Sequence, residues 1–576
     1  MDSEPQMHWQ DRAHDKQARI LASVPPHFID QSLSFSDTAA QDVLDIPTFS
    51  ETNPSRVLDI PAKLMSDEEL AITDLKTEQI PQAIAAGKYT SVQVLDAFTH
   101  RAVIAHQLLH CCLDFMYPAA LKAATDLDRD FAATGKLRGP LHGVPVSLKD
   151  QCRVKGTETT CGFIANLGTY DEEDCLLVQI LRSAGAIPFA KTTLSVGCMW
   201  GESVNNITGR ASNPFNRIFT CGGSSGGEGA LIGFRGSPLG IGSDLGGSIR
   251  TPASYQGLHG LRPSTSRIPY YHILNSLEGQ EIIPSVVGPM ARSTESLRLL
   301  TKTVVDAEPW QLDPKCPPIP WREEMAEEAR HRPLRIAFQH YDGKILPQVP
   351  IRRALRALET KLREAGHDVL AMFDLDQAYA DTIATRVLVS DADGDLARSR
   401  ARAGEPKLKL VDRREAGAPR PITLLESWAL AMERTEYQAR ILRRWRNSAS
   451  MTRDGRPIDA YVAPVNHSVA HEHGKFAAVR YKAYCCTVNL LDFTACTLPV
   501  GFVGSDDVKD ESDTRDGDGG EIPAPTCELD RLVRDNYNSN PSKYVDMPVT
   551  LQIVGKRLEE EKVLAISQIL EDLVNG

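Results

Sequence analysis

The 576-residue chain reads as an α/β protein. Short apolar, strand-like runs alternate with helical patterns from about residue 73 onward. Two glycine-dense turns sit among buried-type apolar residues, where a flexible linker would not. With 42% hydrophobic and 24% charged residues the chain is ordinary globular material, long enough to enclose a dry site.

Residues 1 to about 70 are polar and weakly periodic, and read as an extension packed on a core that runs from 71 to 576. Ser91 is read as a helix N-cap, followed at helical spacing by Val94, Leu95, Phe98, Ala102, Ala105, Leu108 and Leu109. Val144, Val146 and Leu148 alternate, which predicts a strand with Lys149 near its end. Residues 186–192 give a second strand after a helical segment, Cys175 to Ser183. Further buried runs are Leu334 to Phe338 and Tyr461 to Pro464. This alternation predicts a largely parallel sheet whose strands end at a common rim, where α/β enzymes place their sites. The acidic, Gly-rich stretch Asp506 to Glu521, within about 504–525, reads as a disordered loop.

Charge and cysteine usage exclude several classes. The formal charge is −12, and the densest basic stretch, Arg440 to Arg446, reads as the solvated face of a helix, so a nucleic-acid partner is not expected. No run approaches the roughly 20 apolar residues of a membrane span, and the N-terminus has no signal-like apolar core. The 12 cysteines show no Cys-x-x-Cys pair, which suits reduced thiols in a cytoplasmic protein.

The segment Gly222 to Gly227 admits several readings. A phosphate loop needs a Lys that is missing. A nucleophile elbow, Gly-x-Ser-x-Gly, is matched twice, and His259, His272, His467, His471 and His473 are available as later partners.

Three ordered motifs carry a further reading: Gly143-Val144-Pro145-Val146-Ser147-Leu148-Lys149-Asp150, then Gly222-Gly223-Ser224-Ser225-Gly226-Gly227, then Gly242-Ser243-Asp244-Leu245-Gly246-Gly247-Ser248-Ile249-Arg250-Thr251-Pro252. In these the chain resembles the amidase signature family, and in AAGKYTS (85–91) and VIAHQL (103–108) its fungal acetamidase-type members. Matching segments include Gly257 to Pro263 and Pro548 to Gly555, so the likeness spans roughly residues 75 to 565.

The resemblance implies a large mixed β-sheet covered by helices on both faces. It implies an amidase that needs no metal or cofactor and acts on a small-molecule amide. Ser248 maps to the nucleophile, Lys149 to the base, and Ser224, after a cis peptide bond, to the hydroxyl between them. Backbone amides of Leu245, Gly246, Gly247 and Ser248 map to the oxyanion hole, with Ser225, Asp244 and Arg250 supporting the loops. A related subunit acting only with a glutaminase partner would share these motifs. A lysine serves as base only when neutral, so Lys149 is expected buried and without a carboxylate partner; Asp150, next on the strand, points to the opposite face.

Cys198, Met199, Trp200 and the segment Tyr481 to Asp492 map to a substrate pocket. Ser195-Val196 replaces Pro-Gln, and Gln256-Gly257 replaces Cys-Gly, of many relatives. His471-Glu472-His473 is read as a solvated loop, Cys221 as a structural thiol and Cys485-Cys486 as core.

Overall fold

A computed structural model describes residues 7–33, 53–371, 373–411, 420–508 and 522–576. Its strands are β1 (Cys112–Phe115), β2 (Pro145–Lys149), β3 (Ile187–Thr192), β4 (Val204–Asn205), β5 (Gly209–Arg210), β6 (Leu239–Asp244), β7 (His259–Arg262), β8 (Val286–Ala291), β9 (Arg335–Phe338), β10 (Asp368–Leu370), β11 (Ala460–Pro464), β12 (Ala495–Phe502) and β13 (Pro548–Val554). β4 and β5 pair with each other. The other eleven form one sheet in the order β1-β3-β2-β6-β8-β7-β12-β13-β11-β9-β10.

Both faces of the sheet are buried, and the side chains show it by alternation. Ala460 and Val462 of β11 join one apolar cluster; Tyr461 and Ala463 join another. Ile336 and Phe338 of β9 likewise part from Ala337.

The expected largely parallel sheet is corrected to a mixed one, since six of the ten neighbour pairs are antiparallel. Strand–helix alternation reports crossovers, and these do build the parallel set β3-β2-β6 through the helices Leu176–Ser183 and Gly226–Gly233. It is silent on strands that return beside their predecessors, as β8 does beside β6. The parallel set positions the site: the chain leaves β2 at Lys149 and β6 at Asp244, side by side at one rim.

Local predictions shift by a residue in places. The helix Ser91–Leu109 is capped by Thr90 rather than Ser91. The Thr90 hydroxyl accepts from the Gln93 amide at 3.1 Å, while the Gln93 side chain accepts from the Thr90 amide at 2.9 Å. Ser91 is the first helical residue, and its amide donates to the Asp128 carboxylate.

A helix, Trp9–Ile20, packs against β1 and buries Lys16 between Asp114 and Glu158, at 3.0 and 2.9 Å. A division at residue 70 would fall inside the helix Asp67–Asp74. Arg440 and Arg444 lie on the helix Leu424–Asn447 and pair with Asp376 and Asp374. Most of the acidic loop expected around 506–521 lies outside the described residues.

Candidate active site

Three chain segments meet at the rim. β2 delivers Lys149; a turn ahead of the helix Gly226–Gly233 delivers Ser224; the loop from Asp244 to the helix Arg250–Tyr255 delivers Ser248. The first turn of that helix packs closely because Gly227 has no side chain: a Cβ there would sit 2.4 Å from the Thr193 carbonyl oxygen. The Gly223–Ser224 peptide bond is cis.

Lys149 is buried, and its Nζ lies 2.6 Å from Ser224 Oγ and 2.7 Å from Ser243 Oγ. Among the described residues no carboxylate lies within ion-pair distance of it. Burial therefore lowers its pKa from the usual lysine value. Asp150 faces away, accepting from the Thr160 and Cys161 amides and pairing with Lys191 at 3.3 Å. Glu228 bonds to Ser147, two residues before Lys149 and on the same face of β2. Burial pushes its carboxyl up to about 8, against hydrogen bonds from Ser147 and Thr192.

Ser225 ties the two serine loops. Its amide donates to the Ser248 carbonyl at 3.2 Å, and its hydroxyl accepts from the Ser243 amide at 3.1 Å.

Asp244 shapes the glycine loop. Its carboxylate accepts from the amides of Gly247 and Ile249, from Asn489 and from the Arg250 guanidinium. Asp244 and Arg250 are both fully buried. Burial alone would raise the Asp244 carboxyl, but the adjacent guanidinium outweighs it and holds the group far below the usual carboxylate range. Arg250 also donates to Gln552 of β13 and to Asn489.

This network departs from the four-donor oxyanion hole expected from sequence. The Gly247 amide is spent on Asp244 at 2.8 Å. The amides of Leu245, Gly246 and Ser248 have no partner among the described residues. Gly247 shapes the loop instead: its φ is +111°, and a Cβ would lie 2.7 Å from that of Cys485. Gly247→Ala is expected to destabilise the protein by about 1–3 kcal/mol and to lower kcat, because the displaced loop carries the free amides. Thermal melting and steady-state kinetics read the two effects.

Ser248 opens onto a cavity of about 40 Å³. Cys198, Met199 and Trp200 line it, as do Tyr481, Lys482 and Cys485 from the second predicted segment. Leu388, Asn466 and Phe476 complete the wall. These three come from separate elements without a local motif, so only tertiary packing reveals them. No histidine lines the cavity among the described residues. His259, one candidate for an elbow, is buried beside Glu571 and Thr294.

Sequence reasoning also missed Ser243 and Gln151, which stand behind Lys149. Ser243 lies inside the third motif, where a small polar residue between two chemically obvious neighbours gives no signal of its own. The reading of His471-Glu472-His473 as a solvated loop is corrected. His471 and His473 are buried, and burial keeps both imidazoles neutral. The reason is tertiary: the Thr220 amide donates to the His471 carbonyl and Glu472 bridges to Phe219, pinning the segment beneath the serine turn. Cys221, Cys485 and Cys486 are buried. The two departures from the motif are structural here. The Ser195 hydroxyl donates to the Trp200 carbonyl, and Gln256 braces Cys221 and Asn213.

A family model described as Amidase matches residues 93–564. The chain belongs to the amidase signature family. The enzyme is 38% identical over 573 residues to an acetamidase of Emericella nidulans, covering 99% of this chain and 98% of that protein. It is also 38% identical over 575 residues to an acetamidase of Aspergillus oryzae, covering 99% of each. Among solved structures a fatty acid amide hydrolase superposes with a TM-score of 0.86 at 30% identity, covering 99% of this chain and 95% of that one. The enzyme is thus an amidase, a hydrolase of carbon–nitrogen bonds in linear amides. No helix among the described residues is long and apolar enough to cross a membrane.

Proposed function

We propose that the enzyme hydrolyses a small carboxamide to a carboxylate and ammonia or an amine through an acyl-Ser248 intermediate. The observation that carries this reading is the buried amine of Lys149, without a carboxylate partner and 2.6 Å from Ser224. A serine hydroxyl needs a base, and burial supplies a neutral one.

Ser248 Oγ attacks the carbonyl carbon. Its proton passes to Ser224 as the Ser224 proton passes to Lys149. The oxyanion meets the free amides of Leu245, Gly246 and Ser248. The proton then returns through Ser224 to the departing nitrogen, which cannot leave as an anion. Water repeats the sequence on the acyl group, and the carboxylate departs.

The cavity favours a short acyl group. Its volume of about 40 Å³ has room for roughly three waters, in keeping with the acetamidases among its relatives. The wall around Ser248 is largely apolar, from Met199, Trp200, Leu388 and Phe476.

The pH–rate profile tests the base. The required form is the neutral amine, so kcat/KM should rise with pH through the lowered Lys149 value and then level off, below the usual 10.5. Lys149→Arg, charged at every accessible pH, should show no recovery on the alkaline side. An unchanged acid limb in Lys149→Arg would overturn the assignment. Turnover by the isolated chain, with a +acyl mass trapped on Ser248, distinguishes this reading from a subunit that needs a partner.

A further inference from the structure

Lys149 has two hydroxyl neighbours, and only one is on the proton path proposed above. Ser224 Oγ lies at 2.6 Å and Ser243 Oγ at 2.7 Å. A neutral amine has a single lone pair. If Ser243 donated its proton to that lone pair, Lys149 could not accept from Ser224.

The direction of hydrogen bonding behind Ser243 decides the matter. Gln151 is fully buried, and its side-chain nitrogen donates to the Leu274 carbonyl at 2.8 Å. A carbonyl has no proton to give, so the amide cannot be turned round without facing two acceptors to each other. The Gln151 oxygen therefore faces Ser243, at 2.5 Å. That oxygen is also only an acceptor, so the single Ser243 proton points to it. Towards Lys149, Ser243 can then only accept.

We propose that Gln151 is a positioning residue: by claiming the Ser243 proton it makes Ser243 an acceptor for one Lys149 N–H and leaves Ser224 as the hydroxyl whose proton Lys149 takes. The inference rests on the reading of Lys149 as base. The chain Leu274–Gln151–Ser243–Lys149 converts a fixed backbone carbonyl into a fixed orientation of the amine. Gln151 is uncharged, so it imposes this without adding a charge beside Lys149, whose titratable neighbours are the Asp244 carboxylate, the Glu228 carboxyl and the thiols of Cys152, Cys161 and Cys198.

The test is a set of full-length variants assayed for kcat, KM and pH profile. Gln151→Met removes the acceptor and frees Ser243 to donate to the lone pair. kcat should fall about ten-fold, the size of one misdirected hydrogen bond, with KM within about two-fold. The neutral amine gains a hydrogen bond, so the acid limb moves to lower pH. Gln151→Glu keeps the acceptor and adds negative charge, so the limb moves to higher pH. A merely structural role would impair both variants without moving the limb in opposite directions.

Gln151 acts only through Ser243, so Gln151→Met should cause no further loss in a Ser243→Ala background. Additive losses, or limbs that move the same way, overturn the proposal. Lys149→Met, measured alongside, separates the two levels. Retained activity there would sink the base assignment itself, whereas loss there with additive Gln151 and Ser243 effects sinks only the positioning role.

Discussion

Ser248→Ala should lower kcat by at least about 10³–10⁴-fold while leaving the thermal midpoint near that of the parent. The two halves of this expectation have separate causes. Ser248 lines the cavity and is only partly buried, so removal of its hydroxyl empties no packed space. The loop is held by Asp244 and by the Ser225 amide on the Ser248 carbonyl, and neither contact uses the side chain. Only the covalent step is lost. Ser224→Ala should impair turnover too, but with a residue of activity at high pH, where solvent can carry the proton that Ser224 relays. A Ser248→Ala protein that still hydrolyses amides would transfer the nucleophile to another side chain and revive the Gly-x-Ser-x-Gly elbow.

The largest effect on stability is expected at Arg250. Its guanidinium is fully buried against Asp244, with donors also on Gln552, Asn489 and the Cys485 carbonyl. Arg250→Met leaves the carboxylate buried without its cation, a loss of about 3–5 kcal/mol. The sign with pH follows from linkage. In the parent the folded Asp244 value lies below the unfolded one, so its contribution is present above the ordinary carboxylate range and lost as pH falls through the folded value. In the variant Asp244 prefers to be protonated, and stability falls as pH rises. The gap between parent and variant should therefore be widest at neutral pH and narrow on acidification. Adding Asp244→Asn to Arg250→Met should recover part of the loss, because no charge is then stranded. Thermal melts of the three proteins across pH check this; a gap that widens in acid would contradict it.

Much of the site was legible because its chemistry is carried by short, contiguous motifs. Lys149 follows a five-residue alternation that fixes both the strand and the opposite facing of Asp150. The glycines around Ser224 and Ser248 signalled turns among buried residues, and the coordinates supply the close contacts that exclude side chains there. What escaped was relational. That Gly247 spends its amide on Asp244 depends on loop curvature, which no residue type announces. Gln151 follows Lys149 by two positions and looks like any polar residue past a strand end; its importance lies in the carbonyl of Leu274, more than a hundred positions away in the chain. His471 and His473 looked exposed because their neighbours are polar, yet a single bridge to Phe219 draws them inside. The direction of half the sheet was hidden for a similar reason, since periodicity records the faces of a strand and not its heading.

The anchoring of Arg250 on Gln552 and Asn489 has a temporal consequence. Every group assigned to bond cleavage has emerged by residue 250, yet the loop that carries Ser248 is braced by side chains synthesised some two to three hundred residues later. A nascent chain can thus hold all the groups assigned to the chemistry while the loop still lacks its brace on β13. Under that assignment the cleft gains its full brace only when the chain's last strand is in place.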